Sequence, residues 1–412
     1  MLHTLKNPAL AVSGHTKMDW VAAHMPILAR IRQRYQEEKP LAGHRVAISL
    51  HLEAKTAVLA EVLHLGGAQV AITSSNPLTA QDDVAAALAE RGVLVHAFRG
   101  ATAEEFDQLH QRVLDVAPTL IIDDGGELTQ RLHHEREDLA KTVIGGAEET
   151  TTGVTRLKAL ARAGHLSYPM ILVNDADMKH LFDNRYGTGQ STWDGIIRST
   201  NLVVAGKTVV VAGYGWCGKG VAERAQGLGA RVIVTEINPV RANEALMDGH
   251  AVMTMESAAS LGDYFVTVTG NWGVVTEEHF MKMKSGAILA NAGHFDVEVD
   301  VKALERLAVA TRSGRTPDIV GYEMADGRIL WLLAQGRLVN LAAGDGHPAE
   351  IMDLTFALQA LSLEDLLKNR KEAGVYPVDP AVDAWVASIR LQALGIAIDR
   401  LSEAQTTYMA QF

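Results

Sequence analysis

Thr208-Val209-Val210-Val211 runs into Gly213-Tyr214-Gly215-Trp216-Cys217-Gly218, then a small-residue helical segment from Val221 to Leu228, a second apolar run Val232-Ile233-Val234, and Thr235-Glu236. The order strand, glycine turn, helix, strand, acid is that of a dinucleotide-binding βαβ unit. Gly213 permits the tight turn, Gly215 lets the backbone approach a pyrophosphate at the helix N-terminus, and Gly218 lets helix and strand pack closely. Glu236 can accept from a ribose hydroxyl and would repel a 2′-phosphate, so the cofactor is read as NAD rather than NADP. Nearby, Arg241 is read as a solvated helix residue, Trp216 as packing, and Cys217 as a small packing residue rather than a nucleophile.

The rest of the composition bounds the answer. A chain of 412 residues exceeds one ordinary core and implies two or three domains. Hydrophobic residues make up 48%, ample for sheets buried on both faces. The formal charge is −11 with no long basic block, which argues against nucleic acid and anionic membrane as partners. A single cysteine excludes an intrachain disulfide and fits a reducing compartment. The stretch from Met1 to His15 lacks the apolar core of a signal peptide, and no apolar run approaches the roughly 18 residues of a membrane span. A cytoplasmic location is expected, and no metal site.

Residues 17–35 read as a helix with an apolar stripe at Trp20, Val21, His24, Met25, Leu28 and Ile31, interrupted or restarted at Pro26. An α/β rhythm follows, with apolar runs at Val46–Leu50, Val70–Thr73, Val93–Ala97, Leu120–Ile122 and Met170–Val173 separated by helical segments. Such alternation implies a parallel sheet covered on both faces. Polar clusters fall at strand ends, at His51 to Thr56, Asp123-Asp124-Gly125-Gly126 and Asn174-Asp175, where ligands of open α/β sheets bind. From Phe182 to Thr200 the chain reads as a polar, glycine-broken connector. Runs ending at Gly270 and at Asn291-Ala292-Gly293-His294 extend the dinucleotide unit. Glu350 to Leu363 reads as a helix returning to the first domain, and Pro380 to Phe412 as a helical end.

These motifs, with Glu148-Glu149-Thr150-Thr151-Thr152-Gly153, Lys179, Phe182-Asp183-Asn184 and Gly346-His347-Pro348, resemble those of S-adenosyl-L-homocysteine hydrolases from about Trp20 to Tyr408. The resemblance implies two doubly wound α/β domains: a substrate domain (residues 1–182 and 348–382) split by a Rossmann NAD domain (183–347), with a helical C-terminal oligomerisation segment (383–412) and a homotetramer. It implies reversible thioether hydrolysis in which NAD oxidises the 3′-hydroxyl, the acidified C4′ proton leaves with homocysteine, water adds, and the hydride returns. By the same resemblance Lys179 is the base at the 3′-hydroxyl, helped by Asp183. His51 and Asp124 manage the proton at C4′ and at the 5′ leaving group, and His294 binds near the reacting ribose. Glu149 holds the ribose hydroxyls, and His347 sits at the hinge and the homocysteine entrance. Glu53, Lys55, Thr56, Met352 and Phe356 complete the substrate contacts. Thr150, Thr151, Thr152, Asn184, Asn271, Asn291 and Asn340 join Gly213, Gly215, Gly218 and Glu236 around NAD. A desolvated lysine beside a carboxylate suits the base role, since burial favours loss of its proton. Asp123 is read as a structural strand-end carboxylate, and the three threonines as able to cap the helix that follows.

Three features depart from the family pattern. Where adenosyl-specific members carry His-x-Thr-x-Glu, this chain has His51-Leu52-Glu53-Ala54-Lys55. Lysine only donates and an ionised carboxylate only accepts, a pair that suits hypoxanthine, with its position-6 acceptor and N1 donor, rather than adenine. S-inosyl-homocysteine is therefore expected to be handled as well as, or better than, the adenosyl substrate; the alternative is a strictly adenosyl-specific hydrolase in which Glu53 or Lys55 rotates away or water mediates the contact. The chain stops at Met409-Ala410-Gln411-Phe412 instead of a lysine- and tyrosine-containing tail, so easier cofactor exchange is expected. Thr188 replaces a cysteine common in the family. Two other classes stay in view. An ordinary NAD-dependent dehydrogenase would release NADH with product, and a non-catalytic NAD-binding regulator would lack the Asp124, Lys179 and His294 set.

Overall fold

The computed structural model describes residues 2–411, so Met1 and Phe412, the latter expected to end a helix, lie outside the described residues. Two sheets organise the chain. The first has the order β15-β6-β5-β4-β1-β2-β3. Its strands are β1 Arg45–Ser49, β2 Gln69–Thr73, β3 Leu94–Val95, β4 Leu120–Asp123, β5 Gly145–Glu148, β6 Pro169–Leu172 and, from far along the chain, β15 Gly374–Pro377. Every pairing in it is parallel. The second sheet has the order β12-β13-β14-β11-β10-β7-β8-β9. It comprises β7 Thr208–Ala212, β8 Arg231–Thr235, β9 Ala251–Val252, β10 Tyr264–Thr267, β11 Ile288–Asn291, β12 Ala308–Ser313, β13 Ile319–Met324 and β14 Ile329–Leu333. Only β12–β13 and β13–β14 pair antiparallel.

Alternate side chains supply both cores of each sheet. In the first, Val46, Ile48, Val70, Ile72, Leu120 and Ile122 pack on one face, Ala47, Ala71 and Ile121 on the other. In the second, Val209 and Val211 oppose Val210. Continuous β-branched runs without polar alternation are what a parallel sheet buried on both faces requires. The parallel strands reverse their order between β1 and β4 in the first sheet and between β7 and β10 in the second, and such switch points open a crevice at the strand carboxyl ends.

The chain returns to the first sheet through helix Ala349–Lys368. Its Asp353 accepts the N–H groups of Ile27 (2.9 Å) and Leu28 (2.8 Å), the orphan donors that open helix Pro26–Glu38. Val386 and Ile389 of helix Pro380–Ala393 join the same core, so the expected boundary at 382/383 cuts a helix docked on the first domain. The boundary at 182/183 likewise falls inside a π-helical turn, His180–Gly187. The helical end is built of two helices, Pro380–Ala393 and Glu403–Met409, with Gly395 at positive φ between them.

Several expectations need correction. The N-terminal segment restarts at Pro26 as read, giving helices Ala11–Ala22 and Pro26–Glu38, but the stripe does not run through: Met25, Leu28 and Ile31 are buried while Trp20 is 68% exposed. The expected connector over 182–200 is helical throughout, because its glycines serve packing rather than chain breaking. A Cβ at Gly189 would sit 2.5 Å from the Gly220 carbonyl oxygen, and one at Gly195 2.6 Å from that of Val339. Strand β5, with the sequence Gly145-Gly146-Ala147-Glu148, had no strand signal, nor did β12 to β15. Neighbouring strands crowd β5 so closely that side chains are excluded: a Cβ at Gly146 would overlap Ile121 Cγ1 and lie 2.8 Å from Met170 Sδ. Replacing Gly146 by alanine is therefore expected to destabilise the first domain by about 1–3 kcal/mol through overpacking, seen as a lower urea midpoint; an unchanged midpoint would refute the packing account.

Candidate active site

The two crevices open into one cleft of about 1230 Å³. That exceeds the roughly 300–1,000 Å³ of a single small-ligand pocket and has room for a dinucleotide beside a second ligand. From β1 come His51 and, at the start of helix Ala54–Leu65, Lys55; from β4 comes Asp124. The His51 Nε2 lies 3.2 Å from Asp124 Oδ2, and the His294 Nδ1, brought by the loop after β11, lies 3.6 Å from Oδ1. Burial pushes the His51 imidazole down to about 4, against an upward pull from Asp124, so it is neutral at physiological pH.

Two buried carboxylates hold this corner in place. Asp123 accepts from the N–H groups of Leu128 (3.0 Å) and Thr129 (2.8 Å), and Glu148 from those of Gly125 (2.8 Å), Gly126 (3.1 Å) and Thr150 (3.0 Å). Asp123 is thus the structural member of the Asp123-Asp124 pair. Thr150 occupies the N-cap position without a side-chain cap bond, and its own N–H goes to Glu148; Thr150, Thr151 and Thr152 all line the cleft.

A second cluster forms where the π-helical turn meets the return helix. Lys179 Nζ donates to Asn184 Oδ1 (2.7 Å) and pairs with Asp183 (3.4 Å) and Glu149 (3.7 Å). Asp183 also takes the Thr355 hydroxyl (2.7 Å) and pairs with His347 Nδ1 (2.7 Å). The expectation that burial frees Lys179 of its proton is corrected here. Burial does pull its pKa down, but Asp183 and Glu149 together outweigh it, and the net displacement is upward, so the resting side chain is an ammonium. Asp183 is held far below the usual carboxylate range by Lys179 and His347 despite its burial. Glu149 is pushed by burial up to about 8 and accepts from Gln359 Nε2 (2.6 Å).

On the second sheet, Gly213 and Gly215 line the cleft, whereas Gly218 lies behind them, where a Cβ would overlap the Gly213 carbonyl oxygen. Glu236 takes the N–H of Tyr214 (2.7 Å), Ile237 (2.7 Å) and Asn238 (2.9 Å) and faces the cleft beyond β8. Asn271 and Asn340 also line it, and Asn340 Oδ1 is buried with no hydrogen-bond partner. An orphaned buried acceptor, a side-chain-free turn at a helix N-terminus and an acid after β8 fit NAD. Asn291 does not reach the cleft. Its amide donates to the carbonyls of Gly293 (3.1 Å), Phe295 (2.8 Å) and Gly336 (2.9 Å), and its oxygen accepts from Gly293 N–H (2.8 Å), so its side chain braces the loop that carries His294. Arg241 and Trp216, read as solvated and packing residues, both line the cleft; a Cβ at Gly215 would be 3.7 Å from Arg241 Nη1.

Comparison with known proteins is decisive. Residues 184–346 match the family model for "S-adenosyl-L-homocysteine hydrolase, NAD binding domain", and residues 3–144 that for "S-adenosyl-L-homocysteine hydrolase". The chain is 54% identical over 409 residues to an S-inosyl-L-homocysteine hydrolase of Methanopyrus kandleri, covering 99% of this chain and 96% of that one. An adenosylhomocysteinase of Pyrococcus abyssi is also 54% identical over 409 residues (99% and 97% covered), and an S-inosyl-L-homocysteine hydrolase of Methanosarcina mazei is 56% identical over 402 residues (97% of each).

The chain belongs to the S-adenosyl-L-homocysteine hydrolase family. It is an adenosylhomocysteinase-type, NAD-dependent hydrolase of S-nucleosyl-homocysteine thioethers, and its second sheet is the family's NAD-binding domain. A solved dipicolinate synthase structure from Bacillus halodurans, 15% identical, superposes with a TM-score of 0.50 over 80% of this chain and 99% of its own, a likeness of fold alone. No helix among the described residues is long and apolar enough to cross a membrane.

Within this hydrolase, sequence reading missed the residues that orient the site from a distance. Ser75 donates to Asp124 (2.7 Å), Thr79 bonds His51 Nδ1 (2.9 Å), and Glu298 accepts the N–H groups of Thr269 (2.9 Å) and Gly270 (2.8 Å) after β10. Thr355 and Gln359, one helical turn apart on the apolar return helix, carried a signal: polar residues on its buried face. If Lys179 must shed its proton to act as the base, the neutral fraction grows as pH rises, so the acid limb of kcat/KM lies on the alkaline side. Asp183→Asn removes a charge that raises Lys179 and is expected to move that limb to lower pH by about 1–3 units while lowering the maximal rate; a pH–rate profile with an unmoved limb would exclude Lys179 as the titrating base.

Proposed function

We propose that the protein hydrolyses S-inosyl-L-homocysteine in preference to the adenosyl thioether, yielding nucleoside and L-homocysteine. The observation that carries this reading is the donor count at Lys55. Lys55 is 5% exposed and its ammonium meets Glu53 Oε2 (2.6 Å) and the Asp345 carbonyl (2.9 Å), which leaves one of its three donors for a ligand in the cleft. Glu53 meanwhile caps helix Ala54–Leu65, taking the N–H groups of Lys55 (3.0 Å) and Thr56 (3.3 Å) along with the Thr56 hydroxyl (3.3 Å). This refines the initial expectation: Glu53 chiefly fixes Lys55, and Lys55 does the reading. A donor aimed at position 6 matches the hypoxanthine oxygen and opposes the adenine amino group, and burial makes that mismatch costly. The names of the similar proteins divide between the two substrates at equal identity, so the discrimination is argued from these residues.

NAD, when bound, accepts and returns the 3′ hydride. In this reading Lys179, once deprotonated, takes the 3′-hydroxyl proton, and Asp183 holds it in line. Glu149 engages the ribose hydroxyls, His51 and Asp124 move the proton at C4′ and at the 5′ position, and His294 borders the same carbons. Met352 and Phe356 offer an apolar wall, and His347 stands at the mouth. A homo-oligomer is proposed as the working form, supported by the exposed apolar side chains of Leu394, Ile396, Ile398 and Leu401; a monomer by sedimentation at micromolar concentration would remove it.

The direct test compares kcat/KM for the two thioethers by free-thiol release. At least about tenfold preference for the inosyl substrate is expected, without stoichiometric bulk NADH. The double replacement Glu53→Thr with Lys55→Glu should reverse the order. An adenosyl preference in the unmodified protein would overturn the reading.

A further inference from the structure

His51, Asp124 and His294 each offer one donor atom to a common point, all three within 4.8 Å of one another, at the reacting end of the cleft. They come from three separate chain segments, after β1, β4 and β11, so their convergence is tertiary. Two imidazoles and one carboxylate with an open side toward a cavity form the three-ligand set of open zinc sites, whose fourth position is left to water or ligand. Imidazole and carboxylate together favour late divalent transition ions over magnesium or calcium, which prefer all-oxygen shells.

The surroundings are built as metal ligands require. Thr79 Oγ1 lies 2.9 Å from His51 Nδ1, and its own hydroxyl can donate to the Asn76 carbonyl at 3.1 Å. If Nδ1–H donates to Thr79, Nε2 turns its lone pair to Asp124 Oδ2 at 3.2 Å. In that tautomer a shared cation would bridge the two atoms in place of a proton. Ser75 fixes the same carboxylate at 2.7 Å, and His294 is wedged against the Gly125 backbone and edge-on to Phe295, with ring centroids 4.6 Å apart. Outer partners of this kind orient ligands and typically contribute 10–100-fold to metal affinity.

We propose that His51, Asp124 and His294 form a three-ligand binding site for a divalent late transition ion, for which zinc serves as the probe. Because the same groups border the reacting ribose, the ion inhibits by competing with nucleoside. The competitive part rests on the functional reading above; the metal site itself does not.

Isothermal titration of zinc alone into the NAD-loaded protein is expected to show one saturable equivalent per chain. His51→Ala and His294→Ala should each weaken it at least about tenfold, whereas His347→Ala should not change it. Zinc X-ray absorption on the unmodified protein should show two imidazoles among light-atom ligands, which keeps the test open if a variant folds poorly. Absence of a saturable equivalent, affinity untouched by both substitutions, loss of the site in His347→Ala, or fewer than two imidazoles would each overturn the site. Adding inosine should weaken zinc binding; unchanged zinc affinity in saturating inosine would overturn only the competition and with it the placement of the ribose, leaving the metal site standing.

Discussion

The ion pair between Lys179 and Asp183 is the constraint on which the rest of the structure depends. Both side chains are almost fully buried, at 4% and 2% exposure, and an unpaired charge there costs several kcal/mol. Their partners come from distant parts of the chain: Glu149 after β5, Thr355 on the return helix, and His347 just before that helix. The pair is satisfied only when the chain has left the first sheet, built the second, and come back. A charged cluster that needs all three segments ties completion of the active site to completion of the fold.

The positions of the clusters follow from topology. In each sheet the parallel strands switch direction of succession, at β1/β4 and at β7/β10, and each switch leaves a gap at the carboxyl ends where no crossover helix covers the strands. His51 and Asp124 flank the first gap; Gly213, Gly215 and Asn271 flank the second. Because the gaps face one another across one cleft, a cofactor held by the second sheet lies against groups offered by the first. Backbone N–H groups at both gaps are spent on buried carboxylates, Asp123 and Glu148 in one and Glu298 in the other. Spent on backbone N–H groups, those acids set the geometry of the loops that carry the residues lining the cleft.

Much of this was legible in one dimension. The β-branched runs marked strands buried on both faces, the glycine spacing with Glu236 marked the dinucleotide unit, the strand-end runs marked His51, Asp124 and His294, and the family resemblance marked Lys179; the structure brings all four to one cleft. What escaped had a common cause. Gly145-Gly146-Ala147-Glu148 gave no strand signal and the glycines between 187 and 195 read as breaks because propensity scores the residue alone, whereas here the small side chain answers the close approach of a neighbouring strand or helix. Asn291 stands in a family motif but turns inward, since three carbonyls and one N–H converge on its amide. Arg241 and Trp216 looked like surface and core residues because nothing local reveals that the cleft passes over them.

The sequence by itself determined the fold class, the cofactor unit and the chemical inventory, because hydrophobic period, glycine spacing and side-chain functional groups are local properties. Protonation and partnership were decided only by the tertiary structure. Whether Lys179 rests as an ammonium depends on two carboxylates 3.4 and 3.7 Å away that arrive from other segments, and whether Glu53 reads a base or caps a helix depends on which N–H groups it meets first. Electrostatic shifts of this kind scale with distance and burial, and neither is written in the order of residues.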